Sequence, residues 1–228
     1  MKLYMHPAST ACRPVALFCA EEGIEVEQVV VDLFTGAQFQ EPYSKLNPNC
    51  IVPALEDDGF LLTESSAILK YLADGKGSAA YPKELKARAR VNELCDWFNT
   101  NFYRAFGYEL VYPQTLPHRK LGDDAAATQA LVALGKAQSE RWLGVLDRHW
   151  LGDGRPFVCG EAISLADYLG SGIVTVGDWI GQEYGAYPNV DAWLGRMRAL
   201  PSWAAVHEAH AGAVDMFSAG RPYVTAGA

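Results

Sequence analysis

Residues 2–15, KLYMHPASTACRPV, decide the fold of the first part of the chain. The run Lys2–His6 favours a β-strand, and Pro7–Thr10 interrupts it with residues that are typical of turns. A helix is predicted from about Ala11, because Pro14 then lies in the first helical turn, where proline is tolerated. A short strand followed directly by a helix is the usual beginning of a β-α-β unit.

The segments that follow extend this unit into a complete sheet. Val26–Asp32 is rich in β-branched residues and predicts a second strand, whereas Phe34–Leu46 is irregular or weakly helical. Ile51–Glu56 and Phe60–Thr63 predict two more strands, joined by a hairpin turn. A third helix is predicted to open at Glu64. The order predicts one sheet with helices on both faces.

The remainder of the chain is predicted to be helical. Residues 1–74 form the α/β domain, residues 75–83 form a glycine-rich linker, and residues 84–228 form an all-α domain. A long amphipathic helix is indicated by apolar residues at helical spacing: Val91, Leu94, Cys95, Phe98, Phe102 and Phe106. Ser164 and Asp167 have the spacing of a capping box at the start of another helix.

Composition excludes several classes of function. The 228 residues carry a net charge of −8, which disfavours nucleic acid as a partner. No apolar run approaches the ~20 residues of a membrane span, and no secretory signal is expected at Met1–His6. The five cysteines form no C-x-x-C pair and have no histidine at metal-ligand spacing. We therefore expect a cytoplasmic protein with reduced thiols and no metal.

Ser9 is the first candidate catalytic residue, because it lies between the predicted first strand and first helix. A hydroxyl there can donate to a thiolate, and the positive end of the helix dipole adds to that stabilisation. The alternatives are that Ser9 only caps the helix or that Thr10 is the donor. Cys12, one turn later, is interpreted as a buried thiol rather than a redox nucleophile. The sequence leaves the role of Arg13 open.

Glu64 and Ser65 form the second candidate site. The free N–H groups at a helix start favour a carboxylate, and the Ser65 hydroxyl can add a hydrogen bond to it. The alternative is that Ser65 caps its own helix.

Several segments, taken in order, resemble the cytosolic glutathione transferases over nearly the whole chain. The resemblance is nearest to the theta-like, serine-type bacterial members. It is carried by Ser9-x-x-Cys12-Arg13-x-Val15, Val31-Asp32-Leu33, Asn47-Pro48, Val52-Pro53-Ala54-Leu55, Thr63-Glu64-Ser65-x-Ala67-Ile68, Ser164-x-Ala166-Asp167, Pro188-Asn189-Val190-x-Ala192-Trp193 and Pro201-x-Trp203.

The resemblance implies a thioredoxin-like N-terminal domain with a mixed four-stranded sheet, followed by a helical-bundle domain. Glutathione would be the co-substrate, and Ser9 would activate its thiolate. The bond before Pro53 would be cis, and the backbone of Val52 would pair with the cysteinyl part of glutathione. Glu64 would hold the ligand's ammonium group, and Ser65 its γ-glutamyl carboxylate.

The resemblance also places Gln38 at the glycyl end of glutathione. Theta-like members often carry a lysine directly before the Val-Pro pair, where this chain has Cys50 and Ile51. The loss of that cation is expected to weaken the hold on the glycyl carboxylate.

The electrophile pocket would lie in the helical domain, as in relatives. Its candidate residues are aromatic: Tyr103, Phe106, Tyr108 and Phe217. The implied function is detoxifying conjugation of glutathione to a small hydrophobic electrophile by a homodimer. One alternative is glutathione-dependent reduction of disulfides or peroxides; the other is a noncatalytic interaction module with the same fold.

Overall fold

Four strands form a single mixed sheet in the computed structural model, which describes residues 1–218 and 222–227. In the order β2-β1-β3-β4, the sheet pairs β1 in parallel with β2 and antiparallel with β3, and β3 antiparallel with β4. The strands are β1 (Lys2–Met5), β2 (Glu27–Val30), β3 (Ala54–Asp57) and β4 (Phe60–Thr63). The predicted mixed four-stranded sheet is confirmed.

The register of the sheet brings four separate segments to one end. Tyr4 pairs with Ala54, and Ala54 pairs with Thr63. Met5, the last residue of β1, pairs with Val30, the last residue of β2. The residues that follow β1, β2 and β4 therefore lie at the same end as those that precede β3.

Helices cover both faces of the sheet, as predicted. Tyr4 of β1 points to the face where Tyr43 of the short helix α2 (Tyr43–Leu46) lies, with the ring centroids 6.0 Å apart. On the opposite face, α1 (Cys12–Glu22) and α3 (Ser65–Lys76) pack against each other. Every residue of α1 from Cys12 to Cys19 is buried, because this helix also packs against the helical part of the chain.

Helices and the loops between them make up the rest of the described chain, and the predicted helical domain is confirmed. Helix α4 continues through two π-helical stretches, which allows α5 to follow it almost without a break. The apolar stripe of the long helix is buried, which confirms that its spacing marks a core face. None of the helices within the described ranges is long and apolar enough to cross a membrane. The bounds are α4 (Leu85–Trp97), π turns (Phe98–Phe102 and Arg104–Val111), α5 (Tyr112–Thr115), α6 (Ala125–Val145), α7 (Leu165–Val174), α8 (Pro188–Arg198), α9 (Trp203–Val206) and α10 (Glu208–Ser218).

Several boundaries differ from the sequence-based expectation, and two of the differences have a clear physical cause. Strand β3 begins at Ala54 rather than at Ile51, because Pro53 has no N–H to donate to β1. Helix α3 continues through Gly75 to Lys76, two residues into the predicted linker. The residue that ends it is Gly77, whose φ of 71° is the left-handed conformation of a helix C-cap.

A buried carboxylate organises the start of α7. Asp167 and Ser164 form the predicted capping box. The Asp167 carboxylate also accepts the N–H of Val158 at 2.9 Å and the indole N–H of Trp193 at 3.0 Å. One side chain thus fixes the start of α7, the preceding loop and α8.

We expect Asp167→Ala to lower the free energy of unfolding by about 3–5 kcal/mol, because it leaves several buried donors unpaired. Urea denaturation measures this loss. Asp153→Ala is the control, since the exposed Asp153 pairs with Arg155 at the surface and its removal should cost less than about 1 kcal/mol. Equal losses in the two variants would contradict the central role of Asp167.

Candidate active site

Ser9 lies in a tight turn between β1 and α1. Its N–H donates to the carbonyl of His6 at 2.9 Å, and its own carbonyl accepts the N–H groups of Cys12 and Arg13 at 3.2 and 3.1 Å. The N-cap of α1 is Ala11, and no side chain caps this helix. The Ser9 hydroxyl is therefore not a helix cap, and the side chain is half-exposed beside the helix N-terminus.

Thr10, the competing hydroxyl, has a different environment. Its side chain is 3% exposed and points towards the helical domain. There its Oγ1 accepts the hydroxyl of Tyr112 at 2.9 Å. Of the two neighbouring hydroxyls, Ser9 is the more accessible to a ligand.

Cys12 is fully buried, as predicted for a helix thiol. Burial raises the pKa of its thiol to about 12, although a hydrogen bond with the Ser9 side chain opposes that shift. The thiol therefore stays protonated near pH 7 and is unsuited to nucleophilic attack.

The Arg13 guanidinium is also fully buried and joins α1 to the helical domain. It donates to Thr175 Oγ1 at 2.9 Å and to the Gly172 carbonyl at 3.0 Å. Burial lowers the pKa of Arg13 to about 10, so the group remains charged at neutral pH. These contacts show Arg13 bonded to the helical domain of its own chain.

The segment before β3 presents an unpaired backbone. The Val52–Pro53 peptide bond is cis, as the resemblance implies. Neither the N–H nor the carbonyl of Val52 bonds to another described residue. The preceding Ile51 carbonyl accepts the Tyr43 hydroxyl at 2.5 Å and the Asn47 amide at 2.8 Å, which fixes this segment. The Ile51 side chain is 49% exposed.

The N-terminus of α3 is open to a ligand. Glu64 is its N-cap and has a φ of 66°, in the left-handed region that is uncommon for residues other than glycine. The Ile68 N–H bonds to the Glu64 carbonyl, which leaves the N–H groups of the first turn unpaired. The Ser65 hydroxyl bonds to no other described residue, so Ser65 does not cap its own helix.

Gln38 lies in a short 3₁₀ turn, Ala37–Phe39, in the connection after β2. It is half-buried, and its Oε1 is buried without a hydrogen-bond partner among the described residues. This environment differs from that of a solvent-exposed loop glutamine.

The comparisons with known proteins agree with this geometry. A model described as "Glutathione S-transferase, N-terminal domain" matches residues 1–74, and one described as "Glutathione S-transferase, C-terminal domain" matches residues 118–201. Glutathione S-transferase theta-1 of Mus musculus is 31% identical over 219 residues, covering 92% of this chain and 87% of the relative. The Homo sapiens theta-1 protein is 32% identical with the same coverage. The chain belongs to the glutathione S-transferase family.

Solved structures support the same assignment of this transferase. Human glutathione transferase theta-2, in complex with glutathione and an unknown ligand, has a TM-score of 0.84 at 27% identity, covering 99% of this chain and 93% of that one. A delta-class glutathione transferase of Nilaparvata lugens has a TM-score of 0.78 at 30% identity, covering 96% and 98%.

The aromatic candidates for the electrophile site of this transferase differ in burial. Tyr103 is half-buried, and Tyr108 is 43% exposed with its ring 4.9 Å from that of Tyr103. Phe217 of α10 packs on Trp179 at 4.8 Å. The place of Phe106 in an electrophile site stays a prediction, and its ring is fully buried in the helical core. Its helical spacing from Phe102 is the signal of that core position.

A cavity that the sequence did not reveal lies directly beside the Ser9 turn. It has a volume of about 270 Å³ and is mostly apolar. One wall comes from α10, and the other from the segments after β1 and β2. The lining residues are His6, Ala8, Phe34, Ala209, Gly212, Ala213 and Met216. The only sequence signal was the proximity of His6 and Ala8 to Ser9.

Burial of Cys12 leads to a labelling prediction. In the native protein at pH 8, a small thiol reagent should modify the half-buried Cys50 well before Cys12, because Cys12 is both inaccessible and protonated. Peptide mass spectrometry after timed quenching measures both rates. Labelling in denaturant provides the control, since both thiols should then react alike. Early modification of Cys12 in the native protein would contradict its assignment as a buried, unreactive thiol and would support a redox role.

Proposed function

We propose that this transferase binds glutathione at the common end of the sheet and uses Ser9 to stabilise its thiolate for attack on a small hydrophobic electrophile. The observation that carries the proposal is the strand register, which gathers the Ser9 turn, the unpaired Val52 backbone and the open N-terminus of α3. We further propose residues 1–74 as the glutathione-binding domain, 75–83 as the linker and 84–228 as the domain that completes the electrophile site.

Glutathione would bind as an added short strand. The Val52 N–H and carbonyl offer two backbone hydrogen bonds to its cysteinyl residue. The first-turn N–H groups of α3 and the Ser65 hydroxyl suit the γ-glutamyl carboxylate. Glu64, which is exposed beside them, would pair with the ammonium group. Gln38 would contact the glycyl end next to Ile51, where its side-chain amide N–H groups can donate to the glycyl carboxylate.

Ser9 would act on the sulfur atom. Its hydroxyl donates a hydrogen bond to the thiolate, and the N-terminus of α1 adds positive partial charge without an acidic residue in its first turn. Both effects favour thiolate over thiol at neutral pH. The thiolate then attacks an electrophilic carbon: a C–S bond forms, and the leaving group departs with its bonding pair or the thiol adds across a double bond.

The apolar cavity beside Ala8 is the proposed position of the electrophile, because it adjoins the Ser9 turn. An apolar cavity with few polar groups suits a small hydrophobic molecule. Tyr103, Tyr108 and Phe217 would contribute side chains to the electrophile site from the helical domain.

Reduction of disulfides or peroxides is less favoured, since the turn carries serine and the neighbouring Cys12 is buried and protonated. We propose a cytoplasmic location, which suits five free cysteines.

Ser9→Ala should raise the pKa of bound glutathione towards the ~8.5 of a free cysteine thiol and lower kcat at neutral pH, while the dissociation constant changes little. Thiolate absorbance during a pH titration gives the pKa. Ser202→Ala, which removes a similarly half-exposed hydroxyl, is the control, because the Ser202 N–H bonds to Glu21 at the end of α1 opposite the Ser9 turn. If Ser9→Ala leaves the pKa unchanged, Ser9 is not the thiolate donor.

Ile51→Lys should tighten glutathione binding several-fold. The exposed side chain can accept a lysine without burying its charge, and an exposed ion pair with the glycyl carboxylate is worth about 0.2–1 kcal/mol. Calorimetry at two salt concentrations measures the gain, which should shrink as salt screens the charges. Ile51→Gln is the uncharged control. Equal affinities for the lysine and glutamine variants would show that the glycyl end does not lie beside residue 51.

We also propose a homodimer. An exposed apolar patch is formed by Phe60 of β4, at 51% exposure, and Tyr71 of α3, at 39%. The rings of Phe60 and Tyr71 lie 5.6 Å apart. Contiguous exposed apolar surface of this kind is typical of an interface.

Light scattering should give about twice the chain mass of 24.9 kDa. Phe60→Ser should shift the equilibrium towards the monomer, because it removes an apolar contact from the patch. Phe39→Ser is the matched control, since Phe39 is 69% exposed but lies outside the patch. A wild-type mass near 25 kDa at micromolar concentration would exclude the dimer.

A further inference from the structure

Three hydroxyl groups form a chain from the helical domain to the Ser9 turn. The Tyr103 and Tyr112 oxygens are 2.6 Å apart, and the Tyr112 hydroxyl donates to Thr10 Oγ1 at 2.9 Å. Thr10 is separated from Tyr112 by 102 positions in the sequence. We call Tyr103, Tyr112 and Thr10 the hydroxyl relay.

The relay has a direction. The single proton of Tyr112 is used in the bond to Thr10, so Tyr103 must donate to the Tyr112 oxygen. Each hydroxyl in such a series polarises the next, and this strengthens the bonds in a buried site. The direction of donation therefore runs from the helical domain to the turn that carries Ser9.

Both tyrosines stay protonated in the pH range where thiolate is formed. Burial raises the pKa of Tyr112 to about 12 and that of Tyr103 well above its ordinary value. Neither becomes a tyrosinate, so the direction of donation does not change between pH 6 and pH 9.

Close packing holds the members of the relay in place. Gly107 leaves room for the Tyr103 ring, and a β-carbon there would overlap it. The Tyr112 ring packs against Trp179 at 5.9 Å, and Thr10 and Tyr112 are 3% and 6% exposed. Because the rings are held in place, the loss of one hydroxyl changes the hydrogen bonding of the next hydroxyl, and the rings do not move to compensate.

We propose that Tyr112 is a positioning residue for thiolate formation: through Thr10 it fixes the turn that presents the Ser9 hydroxyl to glutathione. Tyr103 supports it as the outer donor. The inference relies on the proposed role of Ser9. It assigns part of the activation of glutathione to the helical domain, whose residues would otherwise contribute only to binding the electrophile.

The test compares Tyr112→Phe with Tyr184→Phe. Tyr184 is a matched control, because it is buried in the same domain and its hydroxyl donates to the Val174 carbonyl at 2.7 Å, away from the Ser9 turn. Tyr112→Phe loses two hydrogen bonds and Tyr184→Phe loses one, while both keep the ring, so both variants should lower the melting temperature. Only Tyr112→Phe should raise the pKa of bound glutathione and lower kcat, by roughly three- to tenfold, with KM for glutathione almost unchanged.

Two further variants complete the design. Tyr103→Phe should also raise the pKa of bound glutathione and lower kcat, but by less than Tyr112→Phe. It replaces Tyr112→Phe in the test if that variant does not fold. In the Thr10→Val, Tyr112→Phe double variant, the two effects should be less than additive, because both substitutions break the same connection. The proposal would be overturned if Tyr112→Phe and Tyr103→Phe both left the thiol pKa and kcat unchanged. It would also be overturned if Tyr184→Phe raised the thiol pKa as much as Tyr112→Phe does.

Failure of the relay and failure of the proposed function give different results. If wild-type protein forms bound thiolate, Ser9→Ala removes it and Tyr112→Phe changes nothing, only the relay is wrong. If wild-type protein forms no thiolate with glutathione, both proposals are wrong.

Discussion

Helix α1 must pack on two partners at once, and the rest of the structure depends on this constraint. One side packs against α3 of the same domain, and the other contacts α7 of the helical domain. The burial of eight consecutive residues, Cys12 to Cys19, shows that little of its first two turns is left for solvent. Arg13 adds a polar link across the same contact. The turn before α1 is therefore held between two domains.

The candidate site combines this turn with groups that the sheet supplies. The open N-terminus of α3 and the unpaired backbone of Val52 are main-chain features, and Ser65 adds a hydroxyl to the first of them. Both features arise where antiparallel pairing ends and a helix begins. In the proposed function, backbone groups would provide much of the recognition of a peptide such as glutathione, and the few side chains would add charge and direction. The activation of the sulfur would then depend on one hydroxyl and one helix terminus.

Local sequence signals predicted the elements that depend on neighbouring residues. The first strand and helix, the hairpin and the Ser164–Asp167 capping box were all found from spacing and turn chemistry. The assignment of Ser9, Val52 and Ser65 needed the family resemblance, because a serine before a helix usually suggests a cap. Contacts between distant segments could not be predicted: Thr10 meets Tyr112 across 102 positions, and the cavity joins His6 to Met216. The burial of Phe106 could not be predicted either, because aromatic composition does not distinguish a core from a pocket.

Gly172 of α7 controls how closely the two domains approach. A β-carbon at this position would overlap the Pro14 ring and lie 3.2 Å from the Thr10 carbonyl oxygen. The absent side chain therefore allows α7 to lie directly against the start of α1. For protein engineering, residue 172 offers a means of testing how much the packing of the two domains depends on this close approach, since even an alanine there would require Pro14 or α7 to move. The same position would constrain divergence, since any enlargement there changes the contact between the domains.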